Sequence, residues 1–465
     1  MESFEYRKIR NDAGLFIRLK RTNEPCPRCG CETPQIKDYQ TKQIKHAVLT
    51  DRNCTVFYSA RRFICPFCKR TYYEHNPFVF KSQKIFALTV TNVLTDFKEP
   101  GETFTTIARR YGISPTSVAS IFDSHVDMKP FPLSERINLD ECYAYAGEEG
   151  KYVLMILDDK TGNPIDILPS RRKDYLLKYF RKIPEEERNK VKYICTDMYD
   201  VYRQVIHSVF KGSIHSCDHY HVSQEIHRKL ERVRIRVMNR YAERDRLAKK
   251  EKKMKKGESS DEYYLLKHFN WLLYITDNPN KEDKDQILYP KRKKRYNNHF
   301  KKNMNFAQLL DLILVIDEEL NEAYKLKNQF NDFYSSSTYQ SAPEALRSLI
   351  RSFRDSSVPE MKDCARTLSN WFNEIINSFI VVENVYVVNN DTGAVTVLPK
   401  HMNNATIERK NGILKLIKKA GCGYHNWDRF RNRSLYCLRK DANFLLEPID
   451  EPLARQAYKQ KNKEA

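Results

Sequence analysis

Between residues 134 and 222 short apolar runs alternate with amphipathic ones. Arg136-Ile-Asn-Leu-Asp140-Glu-Cys-Tyr-Ala-Tyr predicts a strand, and the nearly all-apolar residues 151–158 predict a second. The turn Asp159-Lys-Thr-Gly162-Asn then leads into a third strand at residues 164–168. A helix is expected over 173–182, and a buried strand in Val191-Lys-Tyr-Ile-Cys-Thr-Asp197. The next helix carries Val201, Tyr202, Val205 and Ile206, and a short strand at 213–217 ends at Asp218-His-Tyr-His221. This β-β-β-α-β-α-β order is that of the RNase H-like fold, in which the first and fourth strands lie side by side. Asp140 and Glu141, neighbours on a strand, are expected to point to opposite faces. Asp197 stands at a strand end, where open α/β sheets bind ligands. As a bare alternative, Asp197 or Asp200 caps the following helix.

From residue 223 to about 375 the pattern turns helical and charged, with amphipathic packing stretches at 310–320 and 346–353. Lysine-heavy runs at 249–256 and 291–295 read as solvated loops or as contacts to a nucleic-acid backbone. A hairpin is expected from 380–388 and 394–398 around Asn390-Asp-Thr-Gly393. The following helix places Asn404, Glu408, Asn411 and Lys415 on one polar stripe beside an apolar stripe of Ile407, Leu414 and Ile417. Glu408 therefore sits on the border between core and solvent.

The N-terminal third has a different grammar. Cys26-Pro-Arg-Cys29-Gly30 and Cys65-Pro-Phe-Cys68-Lys69 are two matching knuckles, with β-like runs at 44–49 and 54–59 between them. Four thiolates at this spacing form the closed tetrahedral set of a structural zinc ribbon, and Cys31, Cys54, His46 and His75 are the alternative ligands. Residues 104–122 read as helix, turn and helix. Ala108 is small where the helices cross, Gly112 permits the turn, and Ser114 and Pro115 start the second helix. In a helix-turn-helix, Thr116, Ser117 and Ser120 would face the major groove, with Arg109 and Arg110 beside them. An ordinary helical hairpin is the alternative.

Composition narrows the partner. The 465 residues carry 81 Lys and Arg against 60 Asp and Glu, a net charge of +21, which favours a polyanion. No apolar run approaches a bilayer span and the first residues lack an apolar signal core, so nucleic acid rather than membrane is expected, in the cytoplasm and associated with the nucleoid. Of the 12 cysteines, four form the two pairs, which in a reducing compartment points to metal rather than disulfides.

Taken in order, these motifs resemble DDE transposases of bacterial insertion sequences, specifically the ISL-three family. The resemblance rests on the CPxCG ribbon, the helix-turn-helix, the strand with Asp140, Thr196-Asp197-Met198-Tyr199-x-x-Tyr202 and Asp218-x-x-His221-Val222. It continues through Leu320-Asn-Glu-Ala-Tyr324-Lys-Leu-Lys, Leu368-x-x-Trp371-x-x-Glu374-Ile375, Ile407-Glu408-x-x-Asn411-x-x-x-Lys415 and Gly423-Tyr424-x-Asn426-x-x-x-Phe430-Arg431-x-Arg433. Arg409 departs from the small residue that many relatives carry after the glutamate. The resemblance implies that Asp140, Asp197 and Glu408 form the catalytic triad. Cutting a phosphodiester and joining its 3′-OH to a target are in-line displacements suited to two Mg²⁺ (or Mn²⁺) ions about 4 Å apart, and such hard cations require carboxylates. Asp218, His221, Asn411 and Lys415 are supporting candidates.

The expected architecture is a multidomain α/β chain: zinc ribbon (1–80), helix-turn-helix (81–133), first part of an RNase H-like core (134–222), helical insertion (223–378), final core part with the Glu helix (379–440) and tail (441–465). Its partner is double-stranded DNA, both terminal inverted repeats and target, bound as a homodimer. The competing readings are an RNase H-like nuclease or resolvase that cuts without joining, and a domesticated DNA-binding regulator.

Overall fold

The computed structural model describes residues 3–9, 12–22, 24–46, 54–80, 84–144, 150–276, 286–388, 393 and 395–449. The chain divides into two compact units: Met1–Ser134, Asp140–Tyr179 and Ala405–Ala465 form one, and Glu135–Leu139 and Phe180–Asn404 the other.

The first unit opens with β1 (Ser3–Ile9) and β2 (Asp12–Arg18), an antiparallel pair that the sequence reading did not anticipate. β3 (Gln35–His46) and β4 (Cys54–Ile64) form a long antiparallel pair, β2 runs parallel to β4, and β5 (Thr71–Tyr73) joins β4. β3 starts well before the expected strand at 44–49, whose last three residues lie outside the described residues. Val56, Tyr58 and Ala60 are buried at alternate positions of β4 and pack with Leu15, Ile17 and Ile44, so the strand period sets which face is core.

Three helices follow: α1 (Ala87–Asp96), α2 (Phe104–Tyr111) and α3 (Pro115–His125). Thr103 caps α2 in a reciprocal box with Thr106. Gly112 ends α2 at φ +62, a left-handed conformation that suits glycine. Ser114 then accepts the Ser117 N–H at 3.0 Å and Pro115 opens α3. Ile107, Ala108, Ile113, Val118 and Ile121 are buried between the helices, with Val90, Val93 and Phe97 of α1.

β6 (Arg136–Cys142), β7 (Val153–Asp158) and β8 (Pro164–Leu168) come next, then α4 (Lys173–Arg181), α5 (Glu185–Arg188), β9 (Tyr193–Thr196), α6 (Asp200–Val209) and β10 (Ile214–Cys217). In hydrogen-bonded order the sheet is β10-β9-β6-β7-β8. β9 is parallel to both β6 and β10, whereas β7 and β8 are antiparallel. The helix-capping alternative is not what forms: α6 is preceded by Tyr199 without a side-chain cap, and Asp200 is already its first residue.

The second unit continues into α7 (His219–Lys250), which starts directly after β10 with Asp218 as its N-cap. α8 (Asp261–His268), a 3₁₀ turn at Asn270–Tyr274, the small pair β11 (Arg295–Asn297) and β12 (Lys302–Met304), α9 (Phe306–Val315) and α10 (Glu318–Ser336) follow. The amphipathic stretch 310–320 is thus two helices, because Asp317 adopts an extended conformation and caps α10 through the Leu320 N–H. α11 (Ala342–Asp355), α12 (Pro359–Asn370) and α13 (Phe372–Asn377) complete the helical part. Val222, Ile226, Leu230, Val233 and Val237 form one stripe of α7 at helical spacing and enter a core shared with Leu320, Phe330, Leu346, Phe353 and Leu368. The basic run 249–256 leaves the end of α7 through exposed turns. The hairpin is β13 (Val381–Val388) and β14 (Val395–His401), its Asn390–Thr392 turn lying outside the described residues.

α14 (Ala405–Ala420) and α15 (Trp427–Leu438) return the chain to the first unit. There α15 acts as a clasp of arginines. Buried Arg433 donates to the Phe97 and Glu99 carbonyls at 2.5 and 2.7 Å, Arg429 pairs with Asp123 at 2.6 Å, and Arg431 pairs with Asp166 at 2.5 Å. The motif around Phe430-Arg431-x-Arg433 is accounted for by this holding role: a planar guanidinium satisfies several buried oxygens at once.

Candidate functional site

The cysteine centre is built from two turns of the same form. Gly30 N–H donates to the Cys26 carbonyl at 2.9 Å and Lys69 N–H to the Cys65 carbonyl at 3.0 Å. The residues after the second cysteines, Gly30 and Lys69, take φ +73 and +55. Each turn thereby aims two thiols at one point, and a sulfur from each of Cys26, Cys29, Cys65 and Cys68 lies within 4.8 Å of the others. Cys26 approaches Cys68 at 3.6 Å and Cys29 approaches Cys65 at 3.5 Å. Backbone N–H groups, Cys68 first, pull the Cys65 thiol down to about 6, and that of Arg28 lowers Cys26, whereas Cys29, hydrogen-bonded to Cys65, is pushed up to about 12. Four converging soft donors fit zinc. Cys31 lies instead 3.7 Å from the Thr33 hydroxyl, and Cys54 is buried in the β-sheet core.

In the helical hairpin Thr116 is exposed and Ser117 and Ser120 half-exposed, on the side of α3 away from Val118, Ile121 and Phe122. Arg109 is exposed. Arg110 is held by the carboxylates of Asp96 and Glu102, which raise its pKa and occupy its donors.

The acids lie at strand ends. In the second unit the parallel register sets Leu139 of β6 beside Thr196 of β9, and Thr196 beside Cys217 of β10. Asp197 and Asp218 follow directly. Asp197 Oδ1 lies 2.7 Å from His221 Nε2 and accepts Asn404 Nδ2 at 3.3 Å. Asp218, 3 % exposed, is engaged differently: one oxygen accepts the Tyr220 N–H at 3.1 Å as the cap of α7, and the other the Asn404 N–H, also at 3.1 Å. Asp218 therefore holds the backbone, while His221 turns toward Asp197. Asn404, fully buried, is the hub. Its Oδ1 accepts Asn138 Nδ2 at 3.1 Å, and the same nitrogen reaches the Asn403 carbonyl at 2.7 Å. Nothing in the strand pattern singled out Asn138. An asparagine at an otherwise apolar strand position was the available signal, since a buried amide requires a partner.

Behind Asp197 lies a second chain of contacts. The Thr196 hydroxyl donates to the Asp197 carbonyl at 2.8 Å and so accepts from His215 Nε2 at 2.8 Å. His215 Nδ1 is 3.8 Å from Glu374, too far for a hydrogen bond, and burial pushes the His215 pKa down to about 3. The imidazole is neutral, with its proton on Nε2. Glu374 pairs instead with Arg203 at 2.9 Å, and that guanidinium stacks 3.7 Å from the Trp371 ring centroid.

In the first unit, Asp140, 6 % exposed, accepts Asn411 Nδ2 at 2.7 Å and the Glu141 N–H at 2.8 Å. The expectation that Glu141 faces away is corrected. Carboxylate oxygens of Asp140 and Glu141 lie within 4.8 Å of each other, because Asp140 folds back onto its own strand as β6 ends. Glu141 is also paired with Arg171. Asn411 Oδ1 is buried without a hydrogen-bond partner, an oxygen left available beside Asp140. Glu408 is half-buried on the same helix, Asn411 is buried and Lys415 is exposed, so the stripe grades from core to solvent. Carboxylates with a spare amide oxygen are the donor set of a hard divalent cation.

No helix among the described residues is long and apolar enough to cross a membrane. No curated protein matches the chain. A family model described as the zinc-finger of transposase IS204/IS1001/IS1096/IS1165 matches residues 22–68, spanning all four cysteines of the metal centre. A second, described as Transposase, matches residues 137–387, which include Asp140, Asp197, Asp218 and His221 and stop before Glu408. With more than half its length inside that second match, the chain belongs to the ISL-three family of DDE transposases.

Proposed function

We propose that this transposase binds the terminal inverted repeats of its element and cuts and joins DNA strands at a two-metal site formed by Asp140, Asp197 and Glu408. The observation that carries the reading is the β6–β9 register: Leu139 and Thr196 are partners, and the next residue on each strand is an aspartate. Glu408 joins them through chain continuity. Asn404 is hydrogen-bonded to both Asp197 and Asp218, α14 begins at the next residue, and Glu408 lies about one turn further on. The strand order, with the first and fourth core strands adjacent, supports an RNase H-like core. Asp218 and His221 act as positioning residues, Asp218 through the backbone of Asn404 and His221 on the Asp197 carboxylate. Asn411 orients Asp140.

When bound, two divalent cations supply a nucleophilic oxygen at neutral pH and stabilise the leaving oxygen. The carboxylates of this chain hold them, and the neutral His215 keeps the Asp197 peptide in place without adding charge beside it. The zinc ribbon and the hairpin of α2 and α3 provide end recognition as a helix-turn-helix, with Thr116, Ser117, Ser120 and Arg109 toward the groove; Arg110 stays on its carboxylates. Such a protein acts in the cytoplasm, on nucleoid DNA.

The test is cleavage and strand transfer on DNA carrying the element's ends, with Mg²⁺. Asp140→Ala, Asp197→Ala and Glu408→Ala should each abolish both reactions while leaving end binding intact; normal cleavage by Glu408→Ala would remove it from the triad. Cleavage without joining by the wild type would favour the nuclease reading, and binding without any metal-dependent cleavage the regulator.

A further inference from the structure

The hairpin of β13 and β14 is exposed along nearly its whole length. It is a two-stranded sheet that pairs with no other strand among the described residues. Register sets Tyr386 opposite Val397 and Val388 opposite Val395 on one face, and Val385 opposite Leu398 and Val387 opposite Thr396 on the other. Tyr386, Val388, Val395 and Val397 are 67, 56, 59 and 50 % exposed, and Val385, Val387 and Leu398 lie between 41 and 49 %. Both faces are therefore apolar and open, whereas an ordinary surface hairpin hides one face and solvates the other. A lone two-stranded hairpin is marginal in water. The charged side chains of its two strands sit at the base, where Glu383 pairs with Arg136 at 2.8 Å and Lys400 lies opposite it.

We infer that this hairpin is an intersubunit arm whose two faces are buried by a second copy of the same chain. Charge and area select this occupant. In a chain of net charge +21, the exposed strands offer no cation beyond Lys400 at the base, so they do not suit a phosphate backbone. The exposed apolar surface of one arm is on the order of 600 Å², at the upper end of the largest patch on a typical monomer. A reciprocal, two-fold exchange of arms would bury about 1,200 Å², the lower bound for a stable interface. Burying a single face of each would fall to about half of that, so both faces must be covered. The edge of β14 is blunted by Pro399, which disfavours open-ended strand addition and leaves a closed pair. The arm leads within a few residues into Asn404 and α14, so subunit pairing is linked to the segment that carries Glu408. This inference does not depend on the metal chemistry, and its readout is mass rather than cleavage.

The experiment is sedimentation of the full-length protein over a concentration series, alone and with DNA carrying the element's ends, for the wild type and for Tyr386→Ser/Val388→Thr/Val397→Thr. The substituted residues are exposed in one chain and threonine keeps strand propensity, so the monomer should retain its circular dichroism and melting temperature. Self-association should weaken about 100-fold or more. A wild type that stays monomeric under both conditions overturns the proposal. So does a triple variant that associates as tightly as wild type, or one that loses DNA binding while its self-association is unchanged.

Discussion

Replacing Asn404 by aspartate keeps the shape of the side chain and changes one atom, the nitrogen 3.3 Å from Asp197 Oδ1. Two carboxylates at that separation repel by about 5 kcal/mol at an effective dielectric of 20. Asp197 is 21 % exposed at its side chain, and its neighbour His221 offsets part of the repulsion, so about 3–5 kcal/mol is expected. The alternative, taking up a proton, costs about 5 kcal/mol at pH 7.5 for a carboxyl of ordinary pKa near 3.9, and about 2 kcal/mol at pH 5.5. The new carboxyl should thus have a raised pKa in the folded state, and the variant's deficit should shrink on acidification. The assay is urea unfolding of wild type and Asn404→Asp at both pH values, compared as differences so that other titrations cancel. Asn404→Leu is the control: it loses the hydrogen bond to Asp197 and also the one accepted from Asn138, about 1–3 kcal/mol, with no pH dependence of its own. Millimolar Mg²⁺ should recover stability in Asn404→Asp more than in Asn404→Leu, since an added carboxylate next to Asp197 is an added cation ligand. An Asn404→Asp protein as stable as wild type at pH 7.5, or one whose deficit does not change with pH, would refute the hub.

Purified protein should carry one zinc per chain, lost in Cys26→Ser/Cys65→Ser together with the ordered N-terminal module; a folded, zinc-free module by metal analysis and circular dichroism would contradict this. Thr116→Glu should weaken binding to terminal-repeat DNA at least tenfold in a retardation assay at fixed salt, and Arg110→Ala should do so less, because its guanidinium is already taken by Asp96 and Glu102. His215 titrates near 6.5 when unfolded and near 3 when folded. Below the unfolded value the unfolded chain therefore binds more protons, so its contribution is complete above about pH 6.5, and about 1.4 kcal/mol of stability is lost by pH 5.5. His215→Gln should remove that slope in a pH series of unfolding curves.

What the sequence made legible follows physical periodicity. The strand ends at Asp197 and Cys217, the Ser114–Pro115 start of α3 and the cysteine knuckles are local signals, set by residues adjacent in the chain. What stayed hidden depends on partners far apart in sequence. Asn404 looked like one member of a helical polar stripe, yet it precedes α14 and ties Asn138 to Asp197 and Asp218. Asp218 is a supporting candidate whose sequence context does not show that its two oxygens also hold the N–H groups of Tyr220 and Asn404. Glu141 was misread because alternation assumes a regular strand, and β6 ends one residue later. These cases share a cause. A polar side chain shows its chemistry in sequence but not its partner, and at a strand end the partner decides whether a carboxylate remains available for a cation. Asp218 accepts from two backbone donors and so also ties the start of α7 to the residue before α14. Asp140 and Asp197 accept from side-chain amides, whose other oxygens on Asn411 and Asn404 differ in one respect: that of Asn404 is taken by Asn138, and that of Asn411 is left without a hydrogen bond. A buried amide oxygen in that condition costs about 1–3 kcal/mol, a cost relieved when a cation or its water occupies the Asp140 side. Asn411 is therefore the residue at which metal binding and stability should be most tightly linked.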